Sequence, residues 1–399
     1  MKSILCFLTC LLPLMITANN PQGIVDGNNK FAFNLYHAVQ GGTTGTNLFY
    51  SPFSISTALA MVYAGARTET ALQISATMNF PQGEKFHSDY SQFLKGLAEG
   101  TENKIILQIA NGLWAQKDYK FLDSYFDLVK SKYASELKNV DFADNTEREK
   151  TRMDINTWVE QKTNDKIKNL LSQGDLTSMT RLVLVNAIYF YGDWAEPFEK
   201  QGTQPKDFTL LDGTKNNVPF MNQQGRFNYY EDAKLQALEI PYKDNKASMV
   251  IFLPIKNKWM AEFEKSFDYK YYQDIIAALQ SIEVRLSLPK FQTTCKLDLG
   301  NTLSQMGMPL AFLDNADFSG MTGRRDLYIS DVIHQAFINV DEKGTEAAAA
   351  TAVIMKMTAI RTPTEPKIFN ADHPFVFLIK DNTTHSILFI GKMMNPTIK

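Results

Sequence analysis

The sequence predicts an α+β fold, and three observations lead to that prediction. Apolar residues recur at helical spacing in the first half of the chain, whereas short runs rich in β-branched and aromatic residues dominate the second half. Two apolar runs near the end flank the polar residues 381–384, which is typical of a buried hairpin. Helices and antiparallel strands that share one core define the α+β class.

The helical pattern is clearest in three segments. Residues 31–39 and 54–66 place apolar residues three and four positions apart, and the second segment adds small residues that permit close packing. Residues 154–171 predict a longer amphipathic helix. Its apolar positions are Ile155, Trp158, Val159, Ile167 and Leu170.

Strand signals occur in other segments of the chain. Val284, Leu286 and Leu288 alternate with polar residues, so this strand should have one buried and one wet face. Residues 375–379 and 387–390 form the predicted hairpin. Three further strands are predicted, at residues 105–115, 182–191 and 248–253.

Composition limits the function classes. The 399 residues carry a formal net charge of −2 and a pI of about 6.3, with charges interspersed. A nucleic-acid surface needs clustered Lys and Arg, so we expect no nucleic-acid partner. No linker rich in Pro, Gly or Ser divides the apolar segments, which favours one domain over residues 19–399.

The first residues indicate export. Lys2 precedes an apolar run at 4–16 that ends in Thr17 and Ala18, which predicts a signal peptide over residues 1–18. That run is too short to span a bilayer, and we expect a secreted, extracellular protein without a membrane partner. The signal would remove two of the three cysteines, so the mature chain could form no intramolecular disulfide. Cys295 is predicted to be a buried or half-buried strand residue.

A catalytic site is not apparent in the sequence. The five histidines form no metal-protease pair at four-residue spacing, and no Gly-x-Ser-x-Gly, phosphate-binding loop or Cys-x-x-Cys motif is present. His334 lies in an apolar run and fits a core histidine. We therefore predict a protein that is not an enzyme and that has no cofactor and no metal.

One motif predicts a modification. Asn382-Thr383-Thr384 is an Asn-x-Thr acceptor at the tip of the predicted hairpin. In an exported protein Asn382 is a candidate for glycosylation.

The most unusual segment is residues 342–353, which read EKGTEAAAATAV. Ala favours helix, but a glycine and three β-branched residues leave helix, strand and mobile loop all open. As a strand, the segment would carry no charge on the face of Thr345, which also holds Ala347, Ala349, Thr351, Val353 and Met355. Its small side chains would allow it to enter between two existing strands.

This segment resembles the hinge of the serpin family, and the resemblance covers essentially all of the mature chain. Other matching motifs occur in the family's order: NLFYSPFSIS at 47–56, VLVNAIYF at 183–190, LPKF at 288–291, DFSGM at 317–321 and DHPF at 372–375. The similarity is to secreted, inhibitory serpins, and to those of arthropods in particular. It implies the serpin fold, with helices packed on a large mixed sheet, two smaller sheets and an exposed reactive-centre loop at about 342–366.

The resemblance implies a mechanism. A serine protease cleaves the exposed loop, forms an acyl-enzyme, and is trapped in a covalent complex when the cleaved loop inserts into the large sheet. It also implies three groups of residues. The hinge is Glu342, Gly344, Thr345, Ala347, Ala348, Ala349, Ala350 and Thr351; the breach is Trp194, Lys290 and Glu342; the shutter is Ser51, Ser54, Asn186 and His334.

The scissile bond stays open between two main sites, with Lys356 and Met357 ranked behind them. Counting forward from Glu342 places it between Thr358 and Ala359, whereas counting back from Phe369 and the DHPF motif places it between Arg361 and Thr362. The first count is preferred because insertion length sets how far the protease travels. The target is accordingly an elastase-like or a trypsin-like enzyme.

Two further expectations concern partners. A weak glycosaminoglycan site would use Lys85, His87 and Lys95, although these sparse charges favour a solvated face. The inhibitor is expected to be a monomer. The alternative function is that of a non-inhibitory serpin-fold carrier or storage protein.

Overall fold

The computed structural model describes residues 21–40, 45–98, 105–133, 135–345 and 365–397. The predicted signal peptide, the hinge from Ala347 to Thr351 and both candidate scissile bonds lie outside the described residues. The structure confirms the α+β class.

The helices of the described residues cluster in the first half of the chain. The second of them begins where the Ser51 side chain accepts a hydrogen bond from the Ser54 amide and Pro52 occupies the first turn. They are α1 Pro21–Gln40, α2 Pro52–Gly65, α3 Thr68–Met78, α4 Phe86–Ala98, α5 Asp123–Tyr133, α6 Asn145–Lys162, α7 Met260–Ser266, α8 Tyr269–Ala278, α9 Gly300–Met306 and α10 Ser319–Thr322.

The strands follow the apolar runs of the sequence. They are β1 Leu48–Tyr50, β2 Ile105–Gln116, β3 Glu136–Val140, β4 Leu182–Asp193, β5 Gln204–Thr209, β6 Lys215–Glu231, β7 Leu235–Pro241, β8 Ala247–Pro254, β9 Gln280–Pro289, β10 Phe291–Asp298, β11 Asp331–Val340, β12 Gly344–Thr345, β13 Lys367–Asn370, β14 Phe375–Asp381 and β15 Ile387–Met393. The predicted strands are confirmed, as is the hairpin, which forms from β14 and β15.

Two sheets share the core. The six-stranded sheet has the order β10-β11-β12-β4-β2-β3, with parallel pairs β4–β11 and β2–β3 and antiparallel pairs elsewhere, so it is mixed as expected. The nine-stranded sheet has the main order β1-β15-β14-β8-β7-β6-β9-β13, with β5 paired to β6.

The two smaller sheets that were expected are joined into this nine-stranded sheet. The cause is β6, whose 17 residues pair with β5 at one end, with β9 along the middle and with β7 at the other end. A single long strand therefore links the two ladders.

Strand β4 is buried on both faces. Leu184, Ile188 and Phe190 pack into the main core, whereas Val183 and Val185 belong to a second cluster that includes Trp158 of α6. Burial on both sides accounts for the nearly continuous apolar run of this strand.

The helix predicted at 154–171 is displaced in the structure. It begins at Asn145, because Asp144 caps it by accepting a hydrogen bond from the Glu147 amide. It ends at Lys162, and Asn164 and Asp165 then adopt left-handed φ angles of 50° and 60°. The apolar residues at 167 and 170 are buried in the turns that follow, not on a helix.

Two local predictions hold. Val284, Leu286 and Leu288 are fully buried, as the alternation in β9 predicted. Cys295 is half-buried in β10, and burial raises the pKa of its thiol. In the part of the chain that the structure describes, no helix has the length and apolar character needed to cross a membrane.

Candidate functional site

The six-stranded sheet forks at one end, and β12 lies in the fork. Strands β4 and β11 pair directly and in parallel from residues 183–189 and 331–337. Beyond that point Thr345 pairs with Gly192 of β4 on one side and with Val340 of β11 on the other, antiparallel to both. The first residues of the predicted hinge therefore already occupy a position between the two strands.

The fork admits only small residues. A Cβ atom at Gly344 would lie 2.0 Å from the Gly192 carbonyl oxygen, so this position requires glycine. Thr345 is fully buried, and its hydroxyl lies 2.7 Å from the hydroxyl of Tyr242, with which it forms a hydrogen bond. Close packing thus explains the small residues at the two hinge positions that the structure describes, Gly344 and Thr345.

The predicted breach residues meet above the fork. Lys290 Nζ donates a hydrogen bond to Glu342 Oε2 at 2.7 Å, and the Thr203 hydroxyl donates to Glu342 Oε1 at 2.8 Å. Trp194 is buried and stacks on the ring of Tyr242, with centroids 4.6 Å apart. The ion pair and the aromatic stack close the end of the sheet.

The Glu342 carboxyl is ionised despite its burial. Desolvation raises its pKa, but the hydrogen bonds from Lys290 and Thr203 and one from its own backbone outweigh that effect, so the pKa lies below the usual value. Its side chain is 8% exposed and that of Lys290 34%. The pair is therefore partly desolvated.

Hydrogen bonds to backbone carbonyls hold residues 341–343 at the start of the hinge. The Trp194 indole N–H donates to the Asp341 carbonyl at 3.0 Å, and the Trp194 amide donates to the Lys343 carbonyl at 2.8 Å. The Phe198 amide donates to the Glu342 carbonyl at 2.7 Å. The segment that would have to move thus has defined anchors up to Lys343.

The four predicted shutter residues form one buried network beneath the β4–β11 pair. Asn186 and His334 are direct partners across the parallel ladder, and His334 Nδ1 is hydrogen-bonded to Asn186 Oδ1. Asn186 Nδ2 donates to the Ser54 hydroxyl at 2.5 Å. The Ser51 hydroxyl donates to the Leu388 carbonyl at 2.7 Å. The network joins both strands to the start of α2.

The partners of His334 define its protonation. The Ser51 backbone N–H donates to His334 Nε2 at 3.1 Å, and a backbone amide cannot accept, so Nε2 carries no proton. The proton is then on Nδ1 and is donated to Asn186. Burial lowers the pKa of His334 to about 3, in agreement with a neutral ring.

Two members of these networks were missed by the sequence reasoning. Asn111 of β2 lies opposite Asn186, and its Oδ1 accepts a hydrogen bond from the Asn186 amide. Tyr242 supports both Trp194 and Thr345. The signal for Asn111 was a short amide side chain within a largely apolar strand, because a buried amide needs a hydrogen-bond partner.

The side chain of the candidate glycosylation residue, Asn382, already forms hydrogen bonds within the protein. Asn382 is half-buried, its Nδ2 donates to the Ser248 hydroxyl at 2.8 Å, and its Oδ1 accepts from Lys380 at 2.7 Å. Glycosylation there stays a prediction.

The basic residues predicted for a glycosaminoglycan lie on or next to α4. His87 does not contribute charge to such a site, because burial and then the nearby charges of Arg67 and Lys132 lower its pKa to about 4. Its ring is also hydrogen-bonded to the Tyr133 hydroxyl at 2.6 Å. Lys85 and Lys95 are exposed. Within the described ranges, no three His, Cys, Asp or Glu side chains cluster so as to hold a metal ion.

Comparison with known proteins places these features in context. The family model described as Serpin (serine protease inhibitor) matches residues 26–396. The chain is 41% identical over 374 residues to an uncharacterized serpin-like protein of Thermococcus kodakarensis, which covers 94% of this chain and 86% of that protein. It is 40% identical over 373 residues to the leukocyte elastase inhibitor of Xenopus tropicalis, covering 92% and 97% respectively.

A solved structure agrees with this similarity. Human thyroxine-binding globulin in complex with thyroxine superimposes with a TM-score of 0.85 at 33% identity, covering 95% of this chain and 99% of that one. The two sequence relatives come from an archaeon and a vertebrate, so they do not confirm a particular similarity to secreted arthropod proteins.

The neutral His334 makes the stability of the sheet depend on pH. An unfolded histidine binds a proton below about pH 6.5, whereas the buried ring does not until about pH 3, so the unfolded state gains stability as the pH falls through this range. Between about pH 7.5 and pH 5 the free energy of unfolding should fall by about 2 kcal/mol because of this group alone. The free energy of unfolding, measured at both pH values, checks this.

His334→Gln provides the comparison, because it removes this titration and leaves the other acidic and basic groups in place. The variant should be less stable at neutral pH and should lose about 2 kcal/mol less than the parent on acidification. Equal pH dependence in the two proteins would contradict the assignment.

Proposed function

The chain belongs to the serpin family, and from that premise we propose that it is an irreversible suicide-substrate inhibitor of serine proteases. One observation carries the proposal: β12 already lies between β4 and β11, antiparallel to both. A strand in this position can be extended simply by adding the residues that follow Thr345.

The proposed reaction uses the chemistry of the protease. The serine of the target attacks the scissile carbonyl carbon of the loop, the amine of the next residue departs, and an acyl-enzyme ester joins the two proteins. The loop, now free at the cut, inserts into the six-stranded sheet and carries the protease with it. The inhibitor supplies a substrate bond and no catalytic group.

The register of β12 supports insertion. Thr345 pairs with Gly192 and Val340, and extension of both ladders would place Ala347 and Ala349 on the same face as Thr345. That face packs against the main core, where Thr345 meets Tyr242. Uncharged, small side chains can enter there without burying a charge.

The same register brings the loop to the shutter. Six residues beyond Thr345, Thr351 would lie opposite Asn186 on one side and His334 on the other. The hydrogen bond between those two residues would have to break, and the threonine hydroxyl could satisfy both partners. The shutter is thus the central barrier to insertion, and the loop carries a polar side chain at the position that meets it.

The energy scale is sufficient for trapping. Insertion replaces one parallel pair by two antiparallel pairs, which are slightly more stable per residue. About ten new ladder hydrogen bonds at about 1 kcal/mol each are comparable to the stability of a protease domain, about 5–15 kcal/mol.

The alternative is a serpin-fold carrier or storage protein. The observation that supports this alternative is the structural similarity to a thyroxine-binding globulin, which holds a small ligand. In that case the loop would be cleaved as an ordinary substrate, and no covalent complex would form.

Thr345→Arg should convert the inhibitor into a substrate. Insertion would require an arginine to be buried at the fork, where the native side chain is fully buried. Incubation with trypsin and with elastase, followed by denaturing electrophoresis, measures the partition between covalent complex and cleaved chain. We expect stable complex with the parent and mainly cleaved product with the variant.

Thr345→Ser is the matched control, because it keeps the hydroxyl that bonds to Tyr242 and should still form complex. Undiminished complex formation by Thr345→Arg would contradict the insertion mechanism. Loop cleavage of the parent without any complex would support the carrier.

Mass spectrometry of the C-terminal fragment released by the target identifies the reactive bond. A fragment that begins at Ala359 supports the preferred bond after Thr358 and an elastase-like target. A fragment that begins at Thr362 supports cleavage after Arg361 and a trypsin-like target, whose primary pocket holds a carboxylate. A first residue elsewhere would contradict both counts.

We also propose that the protein is exported, as secreted arthropod serpins are, and glycosylated at Asn382. The mature chain should then begin at Asn19, and Asn382→Gln should remove the mass that an N-glycosidase releases. Recovery of the intact chain from Met1 in the secreted fraction would contradict the cleavage site.

A further inference from the structure

A cavity of about 440 Å³ lies beside the six-stranded sheet, between β2 and the helices α4, α5 and α6. Its apolar wall consists of Phe53, Leu94, Leu97, Leu107, Ile109 and Trp158. A volume of this size accommodates a small organic ligand. The hinge and the fork are not part of it.

The cavity exists because β3 is short. Strand β3 pairs with β2 only at residues 112–116, although β2 begins at Ile105. Along the earlier part of β2, the described residues provide no neighbouring strand on that side. Leu107 and Ile109 are consequently half-buried and face a space that no described side chain fills.

The rim of the cavity is basic. Lys95 of α4, Lys132 of α5 and Lys162 of α6 line it, together with one acidic residue, Glu136. The Glu136 carboxylate already accepts a hydrogen bond from the Trp158 indole at 2.9 Å and pairs with Lys138 at 3.1 Å. Lys162 Nζ lies 3.8 Å from Glu136 Oε1.

Among the described residues, no carboxylate lies within ion-pair distance of Lys95 or Lys132. The positive charge of Lys132 contributes to the lowered pKa of His87. An apolar space with a positively charged rim is complementary to a molecule with an apolar chain and one anionic end.

We propose that this cavity binds a single-chain amphipathic carboxylate of the fatty-acid class. The chain packs against β2 and Trp158, and the carboxylate lies between Lys95 and Lys132. A polyanionic sugar would use the lysines and leave the apolar wall exposed. A neutral lipid would fill the wall and leave the lysines without a partner. The proposal does not depend on protease inhibition.

Displacement of a fluorescent fatty acid tests the proposal. The uncleaved full chain is titrated with cis-parinaric acid, and bound probe is then displaced with palmitate or with hexadecanol. We expect saturable binding of one molecule per chain. Palmitate should displace the probe at least about tenfold better than the uncharged alcohol, because only the anion gains from the lysine rim.

Variants locate the site. Lys95→Gln combined with Lys132→Gln should weaken binding about tenfold. Lys130 is an exposed lysine that lies on α5 with Lys132 but does not line the cavity, so Lys130→Gln should leave the affinity unchanged. Leu107→Trp should fill the cavity and abolish binding, and its thermal midpoint shows whether it remains folded.

Three results would overturn the proposal. The first is absence of saturable binding to the parent chain. The second is binding that survives the double lysine substitution unchanged. The third is a rim that binds heparin fragments but not palmitate, which would indicate a glycosaminoglycan surface. If Leu107→Trp does not fold, the comparison of the double lysine variant with Lys130→Gln decides the outcome.

Discussion

The hydrogen bond between His334 and Asn186 is the interaction on which the rest of the sheet depends. It crosses the parallel pair of β4 and β11, which an inserted strand would divide, and it is tied through Ser54 to the start of α2. A neutral imidazole is required, because one ring nitrogen donates and the other accepts. The native state is therefore held closed by a few directional contacts in a region that is otherwise apolar.

Much of the fold follows from the sequence, for physical reasons that also explain the failures. Strands such as β9 were predictable because alternation reports burial directly. The end of α6 was not, since Ile167 and Leu170 keep helical spacing while Asn164 and Asp165 turn the chain back. The spacing of apolar residues indicates which side chains are buried. It does not show whether those residues lie on a helix or in irregular backbone.

The site shows a different limit. The shutter and breach residues were predicted through family resemblance alone, because their contacts join positions far apart in the chain and no local pattern encodes them. Asn111 escaped because its partner, Asn186, lies on another strand. The cavity beside β2 arises from where β3 stops, and strand ends are the features that sequence patterns define least well.

The position of β12 has a kinetic consequence for the proposed mechanism. Starting an ordered ladder is ordinarily the slow step, because several residues must be fixed before hydrogen bonds compensate for the lost entropy. In this chain the first pairs on both sides of the new strand already exist. After cleavage the strand has to elongate past the hydrogen bond between Asn186 and His334 but does not have to be nucleated. The proposed insertion therefore starts with its slow first step complete, which favours insertion over hydrolysis of the acyl-enzyme.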